Sequence, residues 1–220
     1  MTHAPLPLES IRVVEFSHMV MGPTCGLVLA DLGADVVKVE PAPDGDKTRR
    51  LPGSGAGFFG TYNRNKRSIS VNLKSVEGLE FATNLVRASD VLLENFSAGV
   101  MDRLGLGYDA MQEINPSLVY CALKGFLSGP YEQRAALDEV VQMMGGLAYM
   151  TGPEGRPLRA GASVNDVMGG LFGVIAIQAA LLERQRTGKG TLVRSGLFEN
   201  NVFLVAQHMV QYRQTGVPAA

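Results

Sequence analysis

Two short β-branched runs, Ile11 to Phe16 and Asp35 to Glu40, flank a segment from Pro23 to Leu32 that reads as a helix. Proline suits the first turn of a helix and glycine the position just past its end, and Pro23 and Gly33 stand in those places. Strand, helix and strand together take about thirty residues, the length of a crossover between parallel strands. This unit constrains the rest of the chain, because parallel strands need helices over both faces of their sheet. The pattern recurs: Ser68 to Leu73 alternates like a strand, Ser75 to Ala88 like a helix, and Asp90 to Glu94 like a strand. Tyr108 to Ile114 reads as a short helix, and Ser117 to Leu123 as a strand ending at Lys124 and Gly125. A long helix opens at Asp166, Thr187-Gly188-Lys189-Gly190 is a turn, Thr191 to Ser195 a strand, and Phe198 to Gln214 a last helix. The sequence therefore predicts an α/β fold, a Rossmann-like and mostly parallel sheet with helices on both faces.

At 220 residues the chain holds one large domain, or one domain with part of another. Its hydrophobic content of 46% supports a sizeable core, and a formal charge of −1 lacks the basic excess that a nucleic-acid partner needs. Cys25 and Cys121 lie inside apolar runs and read as buried thiols, since a disulfide framework takes more cysteines in a smaller chain. Met1 to Ser10 is polar and contains proline, unlike a signal peptide, and glycines and Gln178 interrupt the apolar run after Val167. A cytoplasmic protein with no membrane partner is expected. His18 and His208 stand at no metal-ligand spacing from acids or cysteines, so no metal site is expected, and no G-x-S-x-G elbow occurs.

Ligands of such sheets sit beyond the carboxyl ends of the strands. The loops there are Ser17 to Gly22, Pro41 onward, Asn95 to Gly99 and Lys124 to Gly129. The first lacks the G-x-G-x-x-G phosphate turn, although Glu40 ends the second strand where a ribose-binding acid would stand; a dinucleotide-binding module is the weaker alternative. Lys66, Arg67, Lys74, Arg103 and Lys124 gather near these loops, either as solvated charges or as a set that neutralises a phosphorylated ligand.

One stretch stands apart: Ser163-Val164-Asn165-Asp166-Val167-Met168-Gly169-Gly170. From Val167 to Leu182 only Gln178 carries hydrogen-bonding groups in its side chain, so this helix is expected to be buried on every face. Asp166 at its mouth has two readings, a helix N-cap or a carboxylate meant to be touched by a ligand. Gly169 and Gly170 then allow another backbone or a ligand to approach closely.

These segments together resemble the class III CoA-transferases, the family of formyl-CoA transferase, carnitine CoA-transferase and alpha-methylacyl-CoA racemase. The resemblance rests on Val13-Val14-Glu15-Phe16-Ser17, Gly33-Ala34-Asp35-Val36-Val37-Lys38-Val39-Glu40, Asn65-Lys66-Arg67-Ser68-Ile69 and Glu94-Asn95-Phe96. Arg103-Leu104-Gly105, Lys124-Gly125-Phe126 and Arg186-Thr187-Gly188-Lys189-Gly190 extend it over the chain. It implies that Asp166 is the catalytic aspartate, attacking an acyl-CoA thioester to give a mixed anhydride and then an aspartyl-CoA thioester. An ionised carboxylate needs no general base for that attack. It also implies that coenzyme A, a substrate rather than a resident cofactor, lies along Val20, Met21, Val71, Asn72, Leu73, Lys74, Asn95, Phe96, Ser97, Arg103, Lys124, Gly125, Phe126 and Leu127. Backbone N–H groups near the helix start are expected to stabilise charge on the intermediates. Two positions depart from the formyl-CoA transferase pattern, with Val20 in place of Gln and Phe126 in place of Tyr. Leu137 stands where the racemases carry a proton-moving His, which disfavours racemisation. Family members are roughly twice as long and form interlocked homodimers. Residues 1–220 thus correspond to the N-terminal part of the large CoA-binding domain, without the small domain and C-terminal segment. A non-catalytic CoA-binding or assembly half, completed by a partner chain, is the second reading.

Overall fold

The computed structural model describes residues 4–218; Met1 to His3, part of the segment read as unlike a signal peptide, lie outside it with Ala219 and Ala220. The strands are β1 (Arg12–Phe16), β2 (Asp35–Pro41), β3 (Arg67–Val71), β4 (Val91–Glu94), β5 (Val119–Lys124) and β6 (Leu192–Gly196). They form one sheet in the order β3-β2-β1-β4-β5-β6, with every neighbouring pair parallel. The helices are α1 (Met21–Asp31), α2 (Phe58–Tyr62), α3 (Val76–Arg87), α4 (Val100–Arg103), α5 (Tyr108–Ile114), α6 (Asp138–Met144), α7 (Leu147–Thr151), α8 (Val164–Thr187) and α9 (Leu197–Thr215). Every strand expected from the sequence is present, its ends moved by one or two residues. The strand order is the doubly wound one, and it reverses between β1 and β4.

Period-two alternation sorts the strand residues between two cores. Val13, Val91, Leu93, Val119, Cys121 and Leu123 face α1 and α8, meeting Cys25, Leu29, Val174 and Ile177. Val14, Phe16, Leu92, Tyr120 and Ala122 face the other way, onto Ala82 and Val86 of α3, Met101 of α4 and Met111 of α5. The central strands thus read as continuous apolar runs because both of their faces are covered.

Helix α8 departs from expectation. Its residues Leu171, Ile175 and Leu182 are 43%, 59% and 64% exposed, so one apolar stripe faces outward. A helix lying on a sheet and one neighbour buries a single stripe, and residues four apart on the opposite side stay uncovered. Its 24 residues include an 18-residue stretch of mean hydropathy 1.5, long and apolar enough to cross a membrane, yet its inner stripe belongs to the core against α1 and the sheet. The glycines explain the close fit. A Cβ on Gly170 would lie 2.7 Å from the Met21 carbonyl oxygen and 3.0 Å from the Cys25 nitrogen, so Gly170 admits the backbone of α1 rather than a ligand.

Residues 41–60, expected as a loop, contain two short 3-10 turns, Lys47–Arg50 and Gly53–Gly57, and lead into α2. The segment between β5 and α8 holds α6 and α7, which are too short for a helical period to announce them.

Candidate active site

Beyond the carboxyl ends of β1, β4 and β5 opens a cleft of about 820 Å³. The loop after β1 contributes His18, Met19 and Val20, with Met21 at the start of α1; β4 leads to Asn95, and β5 ends in Lys124 and Gly125. The opposite wall is Leu137, Asp138 and Glu139, then Arg159 to Ser163, then Asp166; Leu51, Phe58 and Tyr62 close one side. This is the crevice that a doubly wound sheet makes where its strand order reverses.

Asp166 is the third residue of α8 and lines this cleft. The N-cap position belongs to Ser163, and the orphan N–H groups of the first turn have other partners. Val164 donates to the Ala162 carbonyl at 2.9 Å and Val167 to the Ser163 carbonyl at 3.0 Å. Asn165 and Asp166 donate their backbone N–H groups to one carboxylate oxygen of Asp138, at 2.7 and 3.2 Å. Asp166 therefore does not cap its helix, and the first-turn N–H groups expected to steady reaction intermediates are already engaged. Burial pushes its carboxyl up to about 7, reinforced by the charges of Asp138 and Glu139 and opposed by Arg159. The neutral form is thereby favoured near neutral pH, where the sequence alone implied a fully ionised side chain. Tyr62 is raised as well, by burial first and the Asp166 charge second.

The residues expected along coenzyme A fall into separate groups. Val20, Met21, Asn95, Lys124 and Gly125 line the cleft. Asn95 accepts the His18 N–H at 3.0 Å and donates to the His18 carbonyl at 2.9 Å, so its side chain braces the loop after β1. Lys124 is paired with Glu94 and donates to the Phe96 carbonyl at 2.8 Å. Val71, Asn72, Leu73 and Lys74 lie at the end of β3, outside the cleft wall, with Lys74 exposed. Leu73, Phe96 and Leu104 all rest on the core under α3 to α5, and Lys74, Ser97 and Arg103 do not line the cleft. Phe96 also meets the His18 ring edge-on at 5.8 Å. Phe126 is buried against Phe198 and Tyr131, and with Leu127 it lines a second cavity of about 230 Å³ rather than the cleft.

The basic cluster does not converge as a phosphate site. Lys66 lies 2.9 Å from the buried Glu15, and Arg67 is paired with Asp35. Lys38, also buried, lies 3.1 Å from Asp46 and donates to the Ser17 carbonyl at 2.6 Å. These buried pairs tie the loop after β1 to residues 46–50, where Thr48 accepts the Met19 N–H at 3.2 Å. Glu40 is likewise engaged. Burial works against its charge, yet Arg49, the Asp46 N–H and the Ser68 hydroxyl hold its carboxyl at about 2, leaving no free acid for a ribose.

Sequence reasoning missed Asp138, Arg159 and Tyr62 as parts of the cleft. Asp138 directly follows Leu137, the position singled out in the racemase comparison, but nothing in the spacing joins it to a helix 27 residues further on. Among the described residues no group of acids, histidines and cysteines has the form of a metal site.

Residues 8–220 match CoA-transferase family III. The chain is 38% identical over 224 residues to succinate–glutarate CoA-transferase of Agrobacterium fabrum, covering 96% of this chain and 56% of that protein. It is 47% identical over 191 residues to formyl-CoA:oxalate CoA-transferase of Streptomyces coelicolor, covering 84% and 46%. A CAIB/BAIF family protein from Brucella suis has the same fold, with a TM-score of 0.91 and 40% identity over 98% of this chain and 59% of that one. The chain spans about half the length of the curated relatives it matches. A match from residue 8 onward, with such identities along nearly all of the sequence, means that this chain belongs to CoA-transferase family III.

Proposed function

We propose that the protein moves coenzyme A from an acyl-CoA donor to a carboxylic acid acceptor, with Asp166 as the nucleophile. The observation that carries this reading is the Asp166 carboxylate, which borders the cleft and has no hydrogen-bond partner among the described residues. Its Oδ attacks the thioester carbonyl, the C–S bond breaks, and CoA leaves as the thiolate, giving a mixed anhydride. The thiolate then attacks the aspartyl carbonyl and expels the first acid as its carboxylate. The acceptor carboxylate attacks the resulting aspartyl-CoA thioester and again releases thiolate. That thiolate takes the new acyl group and frees Asp166. Starting from the ionised carboxylate, charge is conserved and no proton is transferred in the cycle, so no Ser/His or Cys/His pair is required. The anhydride must be kept from water, and Leu51, Phe58, Leu137 and Leu197 give the cleft apolar walls.

Coenzyme A would run from Val20, Met21, Asn95 and Lys124 in the cleft toward Lys74 and Arg103, the cations of the predicted set that no carboxylate holds in an ion pair among the described residues. Phosphate recognition by these two would replace the converging cluster. Arg159, which donates to the Ala160 carbonyl at 3.2 Å and lies 3.9 Å from Asp138, is the cation on the Asp166 side of the cleft that can meet an acid substrate. Leu137 at the cleft wall supports transfer over racemisation, because it cannot carry a proton. Cys25 and Cys121, both buried free thiols, accord with a reducing cytoplasm.

We also read residues 1–220 as the N-terminal part of a larger CoA-binding domain that works as a homodimer. The outward stripe of α8 supports this, since Leu171, Ile175 and Leu182 leave an apolar surface that a second chain can cover. The same stripe sustains the second reading, a half that turns over only with its partner chain.

Incubating the full-length protein with acyl-CoA and hydroxylamine, then digesting it for mass spectrometry, tests the nucleophile. A hydroxamate on Asp166 is the expected product. Clear turnover with Asp166 unmodified would remove the reading.

A further inference from the structure

The start of α8 is capped from outside the helix. Asp138, at the head of α6 and 3% exposed, accepts the N–H groups of Asn165 and Asp166 through one oxygen. Its other oxygen accepts from the side-chain amide of Gln142, whose own oxygen takes the Ala160 N–H at 2.7 Å. A carboxylate at this depth is costly unless hydrogen-bonded, and here three donors meet it. In an ordinary helix a first-turn aspartate gains from the free N–H groups around it and from the positive end of the helix dipole. Asp138 has taken both.

Resting on the reading of Asp166 as nucleophile, we propose that Asp138 is a positioning residue for the reaction: by occupying the N–H groups at the start of α8, it leaves the Asp166 carboxylate turned to the cleft, unpartnered and reactive. Asp138 touches neither substrate nor reacting atom in this role. It acts through the helix it caps and through its charge. The charged and titratable groups facing Asp166 are Asp138 and Glu139 from α6, Arg159 from the loop before α8, Tyr62 from α2, and His18 and Lys124 across the cleft. Of these, Asp138 alone is buried and bonded to the backbone of Asp166 itself. A carboxylate that accepts no hydrogen bonds is the stronger nucleophile toward a thioester, and a second negative charge beside it sharpens the effect.

The test is a titration of the full-length protein carrying 13C at its aspartate carboxyl carbons, with the Asp166 resonance identified by its loss in D166N. The wild-type signal is expected to titrate at about 7. In D138A, which frees both N–H groups for the Asp166 carboxylate and removes the neighbouring charge, the midpoint falls by about one unit or more and the acid limb of kcat/KM moves with it, whereas D138N, whose amide oxygen still accepts both, falls less. A D138A protein whose Asp166 titrates as in wild type overturns the proposal and leaves Asp138 a structural cap. Should D138A not fold, D138N decides, since its charge is gone and an Asp166 midpoint equal to wild type overturns the proposal equally. The titration needs no turnover, so it is separate from the nucleophile reading, which a D166N protein with undiminished transfer would end.

Discussion

Asp166 combines two demands that oppose each other. A carboxyl at about 7 in the folded protein and near 3.8 when unfolded makes folding take up a proton, so the ionised side chain is a burden on stability. That burden is absent below pH 4, where both states are protonated, and it grows as pH rises through the interval up to about 7. D166N is therefore expected to melt no higher than wild type at pH 4 and clearly higher at pH 8. The gain is on the order of 2 kcal/mol, discounted from the full shift because the side chain borders an open cleft. Melting curves of the two proteins at both pH values check this, and equal differences at the two would contradict it. If Asp166 is the nucleophile proposed above, activity should run the other way, rising with pH through 7 as it ionises. None of this was legible in the sequence. Asp166 was identifiable as a residue of interest, but its environment depends on Asp138, Glu139 and Arg159, which reach it only through the fold.

At the scale of elements, the junction of α1 and α8 positions the site. Gly169 faces Met21, Gly170 faces the backbone of Met21 and Cys25, and Gly173 faces Leu123 and Cys25. Small residues at this crossing let the start of α8 settle beside the loop after β1, and Ser195 holds it from the other side by donating to the Gly169 carbonyl at 3.0 Å. G170V would force two backbones apart, because the added atoms meet main chain rather than a flexible side chain. The expected cost is about 1–3 kcal/mol, read as a lowered denaturation midpoint at unchanged slope. A midpoint equal to wild type would show that the helices separate freely. The glycines were visible in the sequence as an invitation to close approach. Which partner accepted it was not, since a ligand and a neighbouring helix leave the same trace in the chain.

At the scale of the whole molecule, the outward stripe of α8 is an apolar surface that a single copy of residues 4–218 leaves uncovered. I175K should leave the helical content of this chain as it is, because Ile175 is 59% exposed here. In the full-length protein it should weaken the homodimer proposed above, measured as mass by light scattering at micromolar concentration. A dimer that survives intact would argue that the stripe faces solvent throughout. What the sequence determined by itself was the architecture: the βαβ pattern, the six strands and the loops at their carboxyl ends follow from local periodicity and turn chemistry, which neighbours in the chain specify. The tertiary structure alone decided which side chains share the cleft and in what charge state. Lys66 and Arg67 turned out to hold Glu15 and Asp35, and Asp138 rather than Asp166 turned out to cap α8. Those outcomes depend on through-space distance and burial between segments far apart in the chain, and no local pattern encodes them.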